Sequence, residues 1–285
     1  MIVSAGRDEL RGHAIRLFGI WAVLSVISVV LIIWVLGPQL PPGSMTIQAH
    51  GQTSANIVLT AVCVPIALLV VVFFLYSLVA FRARGQDGDG APIHTNGRVM
   101  MIWLASTVVI VMGLAAWGSF ELLPEQNGAG GGAGPSPIFK PAGAASALPV
   151  QVIGEQWLWT FRYPTYGGVE TDQLAIPVHR YVALHVTSLD VNHSFWAYKL
   201  GVKADAVPGV DNIAYVNAQD TGTFTIRCAE LCGLWHGHMY TQGLVLSQAG
   251  FSAWIAKEQK KNAPATKFLP PYSTHYFPEP GRRAG

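Results

Sequence analysis

The chain has 285 residues, of which 51% are hydrophobic and only 12% are charged. This composition excludes an ordinary soluble globular protein, and the length leaves room for membrane helices and one further domain. The formal net charge of +2 says little about partners, and it does not favour a nucleic-acid partner.

Three uncharged stretches are each long enough to cross a bilayer, which takes about 20 apolar residues. They run from Leu17 to Leu36, from Asn56 to Phe81 and from Val99 to Phe120. Arginines precede the first stretch and flank the loop between the second and the third: Arg7, Arg11, Arg16, Arg82, Arg84 and Arg98. Because basic flanks stay in the cytoplasm, this pattern predicts that everything after Phe120 lies outside.

The first stretch has two interpretations. A basic start followed by an apolar core is also typical of a secretory signal peptide, and Ala49 lies near a weak cleavage pattern. The apolar core is longer than the usual ~7–15 residues of a signal, which favours retention. We therefore predict a membrane segment or signal peptide over residues 1–49 and a transmembrane hairpin over residues 50–123.

A change of composition marks the start of the extracytoplasmic part. Residues 124–149 are rich in Gly, Ala and Pro, which predicts a flexible linker. Short alternating segments between 150 and 262, bounded by Gly, Pro and Asp, predict an antiparallel all-β sandwich that ends in an amphipathic helix over 251–261. Its expected strands are 150–153, 157–163, 180–187, 213–217, 223–227 and 243–246. Residues 263–285 contain several prolines and are expected to form an extended tail.

The segment 228–239 holds five soft or borderline metal ligands: Cys228, Cys232, His236, His238 and Met239. Such ligands suit copper or zinc and not calcium or magnesium, and the thioether favours copper over zinc. A blue single-copper site uses one thiolate, so a second thiolate suits two copper ions bridged by both sulfurs. A second imidazole must then come from elsewhere, and His193, in a polar turn, is the best candidate. A disulfide between the two cysteines is the alternative, although it leaves the spacing of His and Met unexplained.

These residues resemble subunit II of the cytochrome c oxidases, which carries the dinuclear CuA centre. The resemblance covers about residues 55–120 and 150–256, and it implies a cupredoxin-like barrel for the β domain. It assigns the metal ligands residue by residue: His193, Cys228, the backbone carbonyl of Glu230, Cys232, His236 and Met239. It also implies that the side chain of Glu230 faces a magnesium or manganese site shared with subunit I.

The resemblance further implies the route of electrons and the partners. Trp157, in an aromatic stretch, is expected to be the point at which electrons enter from a small extracytoplasmic donor, either cytochrome c or a copper protein. Electrons then pass to haem in subunit I, which reduces oxygen to water and pumps protons; subunit III is a further expected partner. The expected location is a bacterial inner membrane, with the C-terminal domain in the periplasm.

Other functions stay open. The chain would also suit the copper subunit of a related nitric oxide reductase or a membrane-anchored copper carrier. It has no Cys-x-x-Cys-His motif for a covalent haem, so the oxygen chemistry is assigned to a partner.

Four side chains near these motifs receive structural interpretations. Trp159 is expected to pack in the strand, and His238 to be a neighbour of the metal site and not a ligand. Strand alternation places His185 on the surface, and Cys63, within an apolar run, is expected to be a small buried hydrophobe.

Three residues depart from the family pattern. Arg162 replaces an acidic residue that attracts basic donors, Met100 replaces a glutamate at the mouth of a proton path, and Val210 replaces an arginine after the turn that holds Asp205. From Val150 onward ten acidic residues face eleven Lys and Arg. The domain as a whole therefore offers no acidic excess for steering a basic donor.

Overall fold

The computed structural model describes residues 7–39, 43–82, 95–122, 141 and 143–268. The chain divides into two compact units. The helical unit lies within Met1–Leu40 and Ser54–Phe120, and the β unit lies within Pro41–Thr53 and Glu121–Gly285. The predicted linker up to residue 140 and the tail beyond residue 268 lie outside the described residues.

Three long helices carry the apolar stretches. Helix α1 spans Arg7–Leu31 and continues as a π-helical turn over Ile32–Leu36, α2 spans Ile47–Ala80, and α3 spans Gly97–Leu122. Each is long and apolar enough to cross a membrane, and few of their apolar side chains are buried within this chain. Helix α2 begins well before the predicted Asn56, and its polar first turns, up to Thr53, belong to the β unit.

Polar side chains join α1 to α2. The indole Nε1 of Trp21 donates to the carbonyl of Pro65 at 2.8 Å, and Nδ1 of His13 lies 2.7 Å from the hydroxyl of Tyr76. Partly buried polar pairs of this kind are favourable where no water competes. The expectation for Cys63 is wrong, because its thiol is exposed on the surface of α2.

The β unit is a sandwich of two five-stranded sheets, with strand orders β3-β2-β1-β5-β8 and β4-β10-β9-β6-β7. The strands are β1 Leu148–Glu155, β2 Leu158–Tyr163, β3 Val169–Thr171, β4 Ala175–Pro177, β5 Val182–Ser188, β6 His193–Ala197, β7 Val202–Ala206, β8 Asn212–Val216, β9 Gly222–Cys228 and β10 Tyr240–Leu246. The predicted fold class, helices of membrane length followed by an all-β sandwich, is confirmed, and all six predicted strands are present.

The expectation of a wholly antiparallel sandwich is wrong. Strand β1 pairs in parallel with β5, and β4 pairs in parallel with β10. The short strands β3 and β4 carry the chain from one sheet to the other and back. As a result, β5 lies beside β1 and runs in the same direction.

Inward side chains of both sheets form one apolar core. Phe161, Phe195 and Phe224 are 1% exposed or less, which follows from the alternation of side chains along each strand. The hydroxyl of Tyr163 donates to the carbonyl of Ala175 and accepts its N–H, and burial raises the pKa of this tyrosine well above its usual range.

The predicted amphipathic helix is present and longer than expected, as α4 over Gln248–Thr266. The hydroxyl of Ser247 caps it by accepting the N–H of Gly250 at 3.1 Å. Phe251 and Ile255 are buried against the sandwich.

Residues ahead of α2 close one end of the sandwich. We call this end, formed by the turn Tyr198–Leu200 between β6 and β7, the hairpin end. There the N–H of Met45 donates to the carbonyl of Lys199 at 2.7 Å, and the hydroxyl of Thr46 donates to the carbonyl of Leu200 at 3.0 Å. Met45 is 6% exposed and joins the core, while Ala49, near the suggested cleavage site, is only 2% exposed within α2.

Candidate metal centre

The ligand residues meet at the other end of the sandwich, which we call the ligand end. His193 is the first residue of β6, and Cys228 is the last residue of β9. Both side chains point inward because they share the inward alternation of Phe195, which lies opposite Cys228 in the sheet. The loop between β9 and β10, residues 229–239, folds over this end and supplies the remaining candidates.

The two thiols and an imidazole form a tight buried group. One donor atom from each of His193, Cys228 and Cys232 lies within 4.8 Å of the others. The two sulfurs are 3.8 Å apart, far beyond the ~2.05 Å of a disulfide bond. The alternative of a disulfide is therefore absent from the structure, and both thiols are free.

Three further donors surround this group. Nδ1 of His236 is 3.5 Å from Sγ of Cys232, and Sδ of Met239 is 3.8 Å from the same sulfur. On the other side, the backbone carbonyl of Glu230 lies 3.2 Å from Sγ of Cys228. The structure thus brings together all six groups that the sequence nominates, although they come from two separate segments.

Two pKa shifts describe the electrostatics of the group. Burial, together with the neighbouring Cys228, raises the pKa of the Cys232 thiol to about 12, so without a metal it holds its proton at neutral pH. Burial by itself would raise the pKa of Asp190, but hydrogen bonds from His193 and from the N–H groups of Gln156 and Val191 lower it below its usual value. A negative charge is therefore fixed beside His193.

Trp157 contacts the ligand loop directly. Its indole Nε1 donates to the carbonyl of Cys232 at 3.1 Å, and the side chain of Gln156 donates to the same oxygen at 2.8 Å. Gly233 makes this approach feasible, since a Cβ there would stand 2.9 Å from Nε2 of Gln156. Trp159, in contrast, is 2% exposed and packs against Phe195, which confirms its packing role.

Comparisons with known proteins decide the family. Residues 169–242 match the model of the family described as cytochrome C oxidase subunit II, periplasmic domain. The chain is 28% identical to cytochrome c oxidase subunit 2 of Thermostichus vulcanus over 281 residues, covering 84% of this chain and 85% of that protein. It is 32% identical to the subunit 2 of Synechocystis sp. over 232 residues, covering 70% of this chain and 68% of that protein.

The chain belongs to the cytochrome c oxidase subunit 2 family. Among solved structures, it is also similar to the periplasmic domain of subunit II of cytochrome oxidase of Bradyrhizobium japonicum, at 32% identity and a TM-score of 0.39, covering 40% of this chain and 94% of that one.

Family membership fixes the setting of this chain. It is a subunit of a haem–copper terminal oxidase, its apolar helices are long enough to cross a membrane, and its C-terminal domain lies outside the cytoplasm. The family match at 169–242 contains all six candidate ligand residues, whereas Trp157 precedes it.

Two other histidines have different outcomes. His238 is exposed and packs edge-on against Trp235, with ring centroids 5.2 Å apart. The expectation that His185 lies on the surface is wrong, because it is 5% exposed and its Nδ1 pairs with the carboxylate of Asp211 at 2.9 Å.

Sequence reasoning missed three residues that shape the site: Asp190, Gly154 and Gly233. A Cβ at Gly154 would stand 3.0 Å from the ring of His193 and 3.1 Å from that of Trp159, so glycine lets the imidazole pack closely. The signal available in the sequence was weak, because a single Gly at the end of a strand is common. Asp190, three residues before a candidate ligand, was the stronger missed signal.

Proposed function

We propose that this subunit 2 holds a dinuclear copper centre of the CuA type. The ligands are His193, the two thiolates of Cys228 and Cys232, His236, Met239 and the carbonyl of Glu230. The observation that carries the proposal is the convergence of two free thiols, two imidazole nitrogens, a thioether and a carbonyl at one end of the sandwich.

The residues present fit copper. Thiolate, imidazole and thioether are the ligands that copper prefers, and the buried pair of thiols supplies two anionic donors once their protons leave. When bound, the copper pair supplies a one-electron redox centre. The sandwich holds its ligands on strand ends and a short loop, so their positions are set by the fold and not by the metal.

Electrons enter this centre through Trp157. The indole is half-buried, so one side of it is accessible at the surface while its N–H bonds to the Cys232 carbonyl. That single hydrogen bond links the ring to the backbone of a ligand residue.

The donor is a small extracytoplasmic carrier, cytochrome c or a copper protein. The turns at the ligand end, residues 155–158, 189–192, 207–211 and 229–239, contain four acidic residues and no Lys or Arg. The neutral balance of the whole domain hides this local excess. Acidic charge around Trp157 favours a donor with cations around its own redox group.

Electrons leave toward haem in subunit I, where oxygen is reduced to water and protons are pumped, with subunit III as a further partner. The side chain of Glu230 is exposed, so it is free to contribute to a magnesium or manganese site shared with subunit I. In this proposal residues 50–123 anchor the subunit and residues 150–262 carry the copper centre.

Electron paramagnetic resonance tests the proposal on the full chain in detergent, loaded with copper. Two equivalent copper nuclei sharing one unpaired electron give seven hyperfine lines, and metal analysis should find two copper ions per chain. A pattern of four lines, or one copper per chain, would refute the dinuclear centre.

A further inference from the structure

The carboxylate of Asp190 lies between a candidate metal ligand, His193, and the turn between β1 and β2 that carries Trp157. One oxygen is 2.9 Å from Nε2 of His193, and the other accepts the N–H of Gln156 at 2.7 Å. The N–H of Val191 also donates to this carboxylate, at 2.6 Å. The hydroxyl of Ser188 lies 3.3 Å from the same oxygen as His193, so four donors surround this one side chain.

The contact with His193 determines which ring nitrogen can bind a metal. An ionised carboxylate only accepts hydrogen bonds, so Nε2 must carry the proton, and a neutral imidazole then has its lone pair on Nδ1. That nitrogen is the one that faces the thiol of Cys228, at 3.8 Å. A carboxylate bonded to the far nitrogen of a ligating histidine both orients the ring and strengthens it as a ligand.

The contact with Gln156 extends this arrangement toward Trp157. The backbone of Gln156 is held by Asp190, while its side chain and the indole of Trp157 both donate to the carbonyl of Cys232. A chain of hydrogen bonds thus runs from one ligand residue, His193, through Asp190 and Gln156 to another, Cys232.

We propose that Asp190 is a positioning residue, which orients His193 for the metal and holds the turn that carries Trp157 against the ligand loop. The proposal rests on the proposed function in so far as the metal is the copper pair. The side chain of Asp190 is also one third exposed. The competing role is therefore that of a surface charge that only attracts the electron donor.

The chain offers a matched control in Glu155. This acidic residue is also at the ligand end, and in the part of the chain that the structure describes its carboxylate makes no hydrogen bond or ion pair with His193. Asp190→Asn and Glu155→Gln remove the same charge from the same end. Only the first replaces a group bonded to a ligand, and Asp190→Ala removes that group altogether.

The experiment compares wild type, Asp190→Ala, Asp190→Asn and Glu155→Gln as full chains in detergent loaded with copper. We expect Asp190→Ala to lower copper affinity about 10- to 100-fold and to change the hyperfine pattern and reduction potential. Asp190→Asn should show a smaller change, because its amide oxygen can still accept from one donor. Glu155→Gln should keep the wild-type hyperfine pattern and potential.

A second measurement does not need copper. In the metal-free chain labelled with ¹⁵N at histidine, His193 should be an Nε2–H tautomer in wild type and in Glu155→Gln, and should lose this preference in Asp190→Ala. If Asp190→Ala keeps both the tautomer and the wild-type affinity, and merely weakens the salt dependence of donor binding as Glu155→Gln does, Asp190 is only a surface charge. Failure of the wild type to form a two-copper signal would overturn the proposed function, whereas the tautomer would still decide the role of Asp190.

Discussion

The two ends of the β sandwich are closed in different ways. At the hairpin end, the chain itself provides the cover, since Met45 is 6% exposed and Thr46 is fully buried. At the ligand end, Leu158, Leu231 and Leu234 are 49%, 79% and 87% exposed. The same scaffold is therefore complete at one end and leaves the other for a metal and partner proteins.

The charges of the two ends also differ. The turns of the hairpin end carry both signs, with Arg180, Lys199 and Asp220, whereas the turns of the ligand end contain only acidic charges. Composition alone, with eleven basic and ten acidic residues from Val150 onward, could not show this separation. It becomes visible only when the strand order assigns each turn to an end.

The largest expected effect is the loss of the copper centre from the ligand end in Cys228→Ser. A serine hydroxyl cannot replace a buried thiolate as a copper ligand, so we expect the signal of the proposed dinuclear centre to disappear. Cys63→Ser is the matched control, because it removes a thiol from the surface of α2 and should leave the signal intact. The measurement is the electron paramagnetic resonance spectrum with the copper content of both variants; a full dinuclear signal in Cys228→Ser would contradict the ligand assignment.

The next effect concerns the hairpin end. Met45→Ala removes a buried side chain from the core, which should lower the free energy of unfolding of the β unit by about 2–5 kcal/mol. Ile47→Ala is the control two positions away; its side chain is 64% exposed, and its effect should be within about 0.5 kcal/mol. Denaturant titration followed by tryptophan fluorescence compares them. Equal midpoints would show that residues 43–53 are not part of the folded β unit.

The sequence predicted the ligand end better than the hairpin end, for a physical reason. Five of the nominated ligand residues lie within twelve positions, so their proximity is local and readable. The bond from Thr46 to Leu200 joins residues 154 positions apart, and no local pattern signals it. His193 lies outside this segment, and it could be predicted only because two copper ions require a second imidazole ligand.

The wrong expectations for His185 and Cys63 share a cause. The hydrophobic pattern of a strand or helix predicts that element, but it does not show which other residues cover the element. Alternation placed His185 on the outer face of its sheet, but Asp211 pairs with it there, and Ala144 packs against the neighbouring residues of that face. For Cys63 the error is the reverse: its apolar stretch predicts a buried side chain, but the stretch forms the exposed surface of a helix of membrane length. Parallel pairing of β1 with β5 likewise depends on the connection through the other sheet.

A smaller effect follows from the Cys232 thiol. With its pKa raised to about 12, the thiol is protonated throughout the neutral range, so copper must displace a proton to bind. Affinity should therefore rise with pH, by about tenfold per pH unit for each proton released. Competition of the metal-free chain with a cuprous chelator, at two pH values one unit apart, measures this slope. A slope of zero would mean that the thiols are already ionised before the metal arrives.

The smallest expected change at the ligand end is that of Met239→Leu. Leucine keeps the size and apolar character of a side chain that is 1% exposed, so the loop should fold as before. The thioether is the weakest of the side-chain ligands, and five other donors remain, so copper content should stay at the wild-type value. Its loss should nevertheless shift the reduction potential, because a weak axial ligand tunes the potential more than the affinity. Redox titration and metal analysis of the same sample separate the two effects. Loss of copper from Met239→Leu would contradict this expectation, because it would show that the thioether is needed for copper binding and not only for the reduction potential.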